Sequence, residues 1–120
     1  MKASNPYVKI CLKRKRMLFT RIMVTMLGNP SHLSFWYDDA NGNLIVSAAT
    51  GDDLDAYEIQ QCYWKSTKQS CEVARLSFLR ALQHRIGWED GSKYAVEGSF
   101  AHSGERPAIV FDLTSGVRVR

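Results

Sequence analysis

Residues 32–49 read HLSFWYDDANGNLIVSAA. Two β-rich runs flank Asp38-Asp39-Ala40-Asn41-Gly42-Asn43, and Asn41-Gly42 readily supplies the positive φ angles of a tight reversal, so the stretch is predicted to be a β-hairpin. Side chains alternate along a strand, which puts Phe35 and Tyr37 on one face and Trp36 on the other. One set is assigned to the core. The other is free for an interface or, with Tyr63-Trp64, for stacking on bases.

Upstream, VKICLKRKRML (residues 8–18) sets Val8, Ile10 and Leu12 against Lys9, Cys11 and Lys13, a period of two that predicts one half-buried strand with basic residues outward. In FTRIMVTML (19–27), Thr20 can cap a helix, Ile22, Met23, Met26 and Leu27 recur at helical spacing, and Gly28 and Pro30 end it. Downstream, GDDLD (51–55) reads as a loop and 56–64 as a strand. A long helix is predicted within 65–87, with Val73, Leu76, Leu79, Leu82 and Ile86 on one stripe, a cap at Ser66 or Ser70, and Gly87 at the stop. A second hairpin follows from KYAVEGSF and PAIVFDL around Ser103-Gly104, and VRVR extends or frays from it.

The order helix, glycine stop, hairpin thus occurs twice. RMLFTR at 16–21 echoes RLSFLR at 75–80, and the same alignment matches Phe19 with Phe78, Arg21 with Arg80 and Gly28 with Gly87. The expected fold is a β-rich α+β single domain over 1–120, built of two related helix-plus-β-hairpin halves, 8–50 and 56–120. Their apolar faces would cover one another within one chain or between two.

Composition sets the frame for function. With 45% hydrophobic and 23% charged residues in 120, the chain has the make-up of a globular protein with its own core. No apolar run approaches the roughly 18 residues needed to cross a bilayer, and the basic start lacks a signal core, so a cytoplasmic location without membrane association is expected. Cys11, Cys62 and Cys71 form no C-x-x-C pair and read as free, buried thiols. The net charge of +4 is unevenly spread: residues 1–21 hold seven Lys or Arg and no acid, whereas 22–64 hold six acids and no Lys or Arg. Such polarity attracts a polyanion to one end or favours self-association.

The segment RMLFTRIMVTMLGNPSHLSFWYDDANGNLIVSAA (16–49), a basic strand, a short helix, Leu27-Gly28 and a hairpin, resembles the swapped-hairpin AbrB/SpoVT type of bacterial transition-state regulator and antitoxin. The resemblance covers about 40 residues. The family's usual Pro before the helix is replaced by Leu18-Phe19-Thr20, and the hairpin is longer than usual. It implies interlaced hairpins and duplex DNA held by basic side chains of the strand region, with a second half able to imitate the partner of a dimer.

Lys13, Arg14, Lys15, Arg16 and Arg21 are accordingly the candidate nucleic-acid contacts, because each cation can neutralise a phosphate and release counterions. A solvated edge strand is the competing reading of the basic run, and a protein-interaction module without a nucleic-acid role is the competing function; another protein or a second copy would then be the partner. Arg75 and Arg80 either extend the basic face or lie along the helix, paired with acids such as Glu72. Asp38-Asp39 and Asp52-Asp53-x-Asp55 lack calcium-loop spacing, and His32, His84 and His102 form no metal-ligand pair. No phosphate-binding glycine loop or serine-hydrolase motif is present, so no catalytic residue, metal or cofactor is assigned. A nucleophilic Cys62 or Cys71 beside a histidine would have to be assembled by the fold.

Overall fold

The computed structural model describes residues 6–59, 70–89 and 91–119. Every strand pairing in it is antiparallel. The strands are β1 Tyr7–Cys11, β2 Arg16–Thr20, β3 His32–Asp38, β4 Asn43–Ala49, β5 Tyr57–Glu58, β6 Ser70–Val73, β7 Lys93–Ser103, β8 Arg106–Asp112 and β9 Val117–Val119, with helices α1 Arg21–Met26 and α2 Leu76–Ile86. They form one sheet in the order β5-β3-β4-β8-β7-β1-β2-β6, with β9 paired to β7. The sheet curls until its ends meet: the Tyr57 hydroxyl of β5 donates to the Glu72 carbonyl of β6 at 3.5 Å.

The curl turns on β7. Its first half pairs with β1 and β9, and its second half, from Gly98 onward, pairs with β8. A side chain at Gly98 would put Cβ 2.5 Å from Ile109 Cγ2 and 2.7 Å from Phe111 Cε1, so the missing side chain is what lets Phe111 lie against the bent strand. Phe19, fully buried, lies between Phe35, on which it stacks at 5.7 Å, and Phe111, against which it is tilted at 5.9 Å. It thereby joins the β1–β2 side of the sheet to the β3–β4–β8 side in one core with Ile10, Met17, Leu33 and Leu44.

Both hairpins form, with strands at 32–38 and 43–49 and at 93–103 and 106–112. The predicted split of Phe35 and Tyr37 from Trp36 is observed: Phe35 and Tyr37 pack on the core, whereas Trp36 is 37% exposed on the outer face. Gly28 and Gly87 follow their helices with φ of +85° and +82°. Among the described residues nothing lies within 4 Å of a Cβ at either position, so the backbone penalty is what opposes a side chain there. Gly28→Ala and Gly87→Ala are each expected to cost about 1 kcal/mol in thermal unfolding, and a raised midpoint for either would show that the cap is not left-handed in solution.

Several predicted features differ, among them the strand expected over 56–64, of which the described residues show only Tyr57–Glu58. Residues 8–18 are not one strand but β1, a Leu12–Lys15 turn, and β2. Ser70–Val73 is strand rather than helix, because it completes the ladder on β2 through Met17↔Val73 and Phe19↔Cys71. Helix α2 therefore begins at Leu76, which is 39% exposed, and is buried through Leu79 and Leu82. Thr20 stands before α1 without capping it, since its hydroxyl accepts the Tyr7 amide at 3.2 Å, and α1 buries Val24 while Ile22 is exposed. Finally, Phe19 and Phe78 are not equivalent: one lies in a central strand, the other half-buried on a helix of eleven residues against six in α1. The predicted sites at Cys62, Tyr63, Trp64 and Ser66 lie outside the described residues.

Candidate nucleic-acid interface

The basic run is folded by its neighbours. Leu12 is buried and its amide donates to the Ser92 carbonyl at 2.9 Å, which pins the turn against the start of β7. Lys13, Arg14 and Lys15 stand exposed at the tip, and Arg16 opens β2 opposite Cys11. Among the described residues no acid pairs with the three tip cations. Lys15 adopts φ +58°. The other described non-glycine residues with positive φ are Asn29 and Asp55, types that tolerate this region through local hydrogen bonds; a lysine there costs roughly 1 kcal/mol with no such return.

Arg16 forms an ion pair with Glu72 across the β2–β6 ladder, with both side chains about half exposed. Arg21 is the first residue of α1, is partly buried and has its own interactions. Arg75 donates to the Asp55 carbonyl at 2.6 Å and lies over the Tyr57 ring, so it belongs to a different depression, shared with Phe35 and Phe78. Arg80 is exposed on α2. The basic residues of the first strands and those of the long helix therefore do not share one groove.

Two cations that sequence reading did not assign do join the run. Lys9 and Lys93, with Arg14 and Arg16, line a groove of about 350 Å³ on the outer face of β1, β2, β6 and β7, with Glu72 as the one carboxylate among the described lining residues. Its rungs follow from register. Lys93, Cys11 and Arg16 stand side by side on adjacent strands, and Lys9, Leu18 and Glu72 form the next outward-facing rung. Glu97 continues the face beyond Lys9 on the rung that contains Tyr7. Lys9 was legible as an outward residue of β1; Lys93 required the pairing of β7 with β1, which no local pattern encodes.

The other candidates have structural roles. Asp38 accepts from the Ala40 amide and the Asn41 side chain within the hairpin turn. Asp39 pairs with Arg85 and Asp53 with Arg106, the guanidinium holding the Asp53 carboxyl down to about 2. Cys71 is buried beside Phe19, and burial pushes its thiol up to about 11, which leaves almost no thiolate at neutral pH. His32 hydrogen-bonds Ser31 and approaches Glu58 at 3.8 Å, and His102 packs edge-on to Phe100. Among the described residues no three His, Cys, Asp or Glu side chains gather as metal ligands, and no helix is long and apolar enough to cross a membrane. No family model, curated protein or solved structure matches the chain.

Proposed function

We propose that this protein is a small DNA-binding regulator or antitoxin-like protein that grips duplex DNA through the basic turn. The observation that carries this reading is the pinned tip Lys13-Arg14-Lys15, without an acidic partner among the described residues, continuing into Arg16, with a lysine held in the left-handed region at an energetic cost. A turn already ordered by Leu12 loses little further entropy on meeting a phosphate backbone. The two halves are read as related copies. Strand–helix–hairpin order occurs as β2-α1-β3-β4 and as β6-α2-β7-β8, and β2 pairs with β6 as β4 pairs with β8, the antiparallel contacts that an internal two-fold axis requires. One chain would then carry the arrangement that the swapped-hairpin resemblance assigns to two.

Titration of the protein against mixed-sequence duplex DNA tests this reading. Engagement of the four cations predicts a fall of log K with log salt of roughly −3.6 from that set alone. Folded protein that shows no binding at low salt would remove the proposal. A second reading, a protein-interaction module, rests on the outer rung of Trp36, Ile45 and Val110, which is apolar across three neighbouring strands. It becomes the leading one in that event.

A further inference from the structure

The outer-face groove beside the turn has the make-up of an anion seat, and part of it is already occupied by the protein's own carboxylate. On the first rung Lys93 and Arg16 stand on either side of Cys11, two strand spacings or about 10 Å apart, a span their long side chains can close upon one phosphate. Lys9 stands on the next rung beside Leu18, and Arg14 reaches the groove from the turn, so the apolar floor of Cys11 and Leu18 is ringed by cations. Glu72 enters from β6 and binds Arg16. A carboxylate and a phosphate oxygen meet a guanidinium in the same way, by charge-assisted hydrogen bonds in a planar fork.

We propose that this groove is a phosphodiester-binding site, formed by Lys9, Arg14, Arg16 and Lys93, in which the Glu72 carboxylate holds the phosphate's place on Arg16 until nucleic acid displaces it. The inference rests on the DNA-binding reading and deepens it: the footprint is the β1–β2–β7 face together with the turn, and Glu72 is a built-in competitor that weakens contact with any polyanion. Because the Arg16–Glu72 pair is half exposed, its grip is weak enough for a phosphate to break.

The test is salt-dependent titration of a mixed-sequence DNA duplex with the full chain and two variants, each checked for an unchanged unfolding midpoint. With Lys9 and Lys93 added to the four residues of the run, the wild-type slope is expected near −5.4, and K9A/K93A returns it to about −3.6. E72Q, which keeps the side chain's size and removes its charge, is expected to tighten binding roughly fivefold at low salt. Wild-type binding with a slope near −3.6 that K9A/K93A leaves unchanged overturns the groove while sparing the turn. E72Q binding no tighter than wild type overturns the competitor role. Failure of the wild type to bind overturns both this inference and the reading on which it rests.

Discussion

Replacing Phe19 by Ala is expected to lower the free energy of unfolding by about 3–5 kcal/mol, a large part of the 5–15 kcal/mol typical of a domain. The side chain is fully buried, and its ring lies between Phe35 and Phe111, each within 6 Å and each on a different strand. Truncation removes the transfer free energy of the ring and leaves a cavity lined by rigid strands. Those strands cannot close over it, because their backbones are fixed in ladders with β1, β6 and β4. Phe78→Ala provides the comparison. Phe78 is half-buried on α2 and meets Phe35 at 6.0 Å, so its loss is expected to cost about 1–2 kcal/mol. Denaturant unfolding with a common m-value measures both. Equal losses would restore the equivalence of the two phenylalanines that the repeated Arg-x-x-Phe-x-Arg spacing suggested, and a Phe19→Ala loss below about 1.5 kcal/mol would show that the joint between the sheet's two sides relaxes.

Simultaneous replacement of Lys13, Arg14, Lys15 and Arg16 by Ala is expected to weaken DNA binding on the order of a thousandfold at 0.1 M salt and to flatten the log–log slope by roughly 3.6. The fold should survive this change. Leu12 rather than any of the four cations anchors the turn, and the tip side chains have no described ionic partner to lose. Among the described residues only the exposed Arg16–Glu72 pair is broken, at a cost of about 0–1 kcal/mol. A variant that keeps its unfolding midpoint and also its salt slope would place DNA contact elsewhere on the molecule. A variant that loses both would show that the turn is a structural element first.

Much of the architecture is set by local chemistry that a linear reading captures. Asn41-Gly42 and Ser103-Gly104 reverse the chain because glycine accepts positive φ, and both hairpins appear there, the first with Phe35 and Tyr37 on one face and Trp36 on the other. Gly28 and Gly87 stop their helices for the same reason. The basic turn was read through as strand, although parity encodes it. Val8, Ile10 and Leu12 are inward at even positions and Met17 and Phe19 at odd ones, which a single continuous strand cannot accommodate, because its side chains alternate without interruption.

Other features exist only after strands find distant partners. Val73 fits a helical stripe with Leu76 and Leu79 as well as it fits an alternating strand with Cys71, and the open edge of β2 decides between them by offering hydrogen bonds that a longer helix would leave unmade. The polarity of charge along the chain is likewise rewritten in three dimensions, where Arg16 meets Glu72, Arg85 meets Asp39 and Arg106 meets Asp53. Lys93 reaches the groove because β7 lies beside β1, more than 80 residues away in sequence. Turns and alternation are short-range properties of covalent geometry and solvation, so the sequence by itself determined them. Which cations share a groove, and which carboxylate stands among them, depends on the register of strands far apart in the chain, and only the tertiary structure decided that.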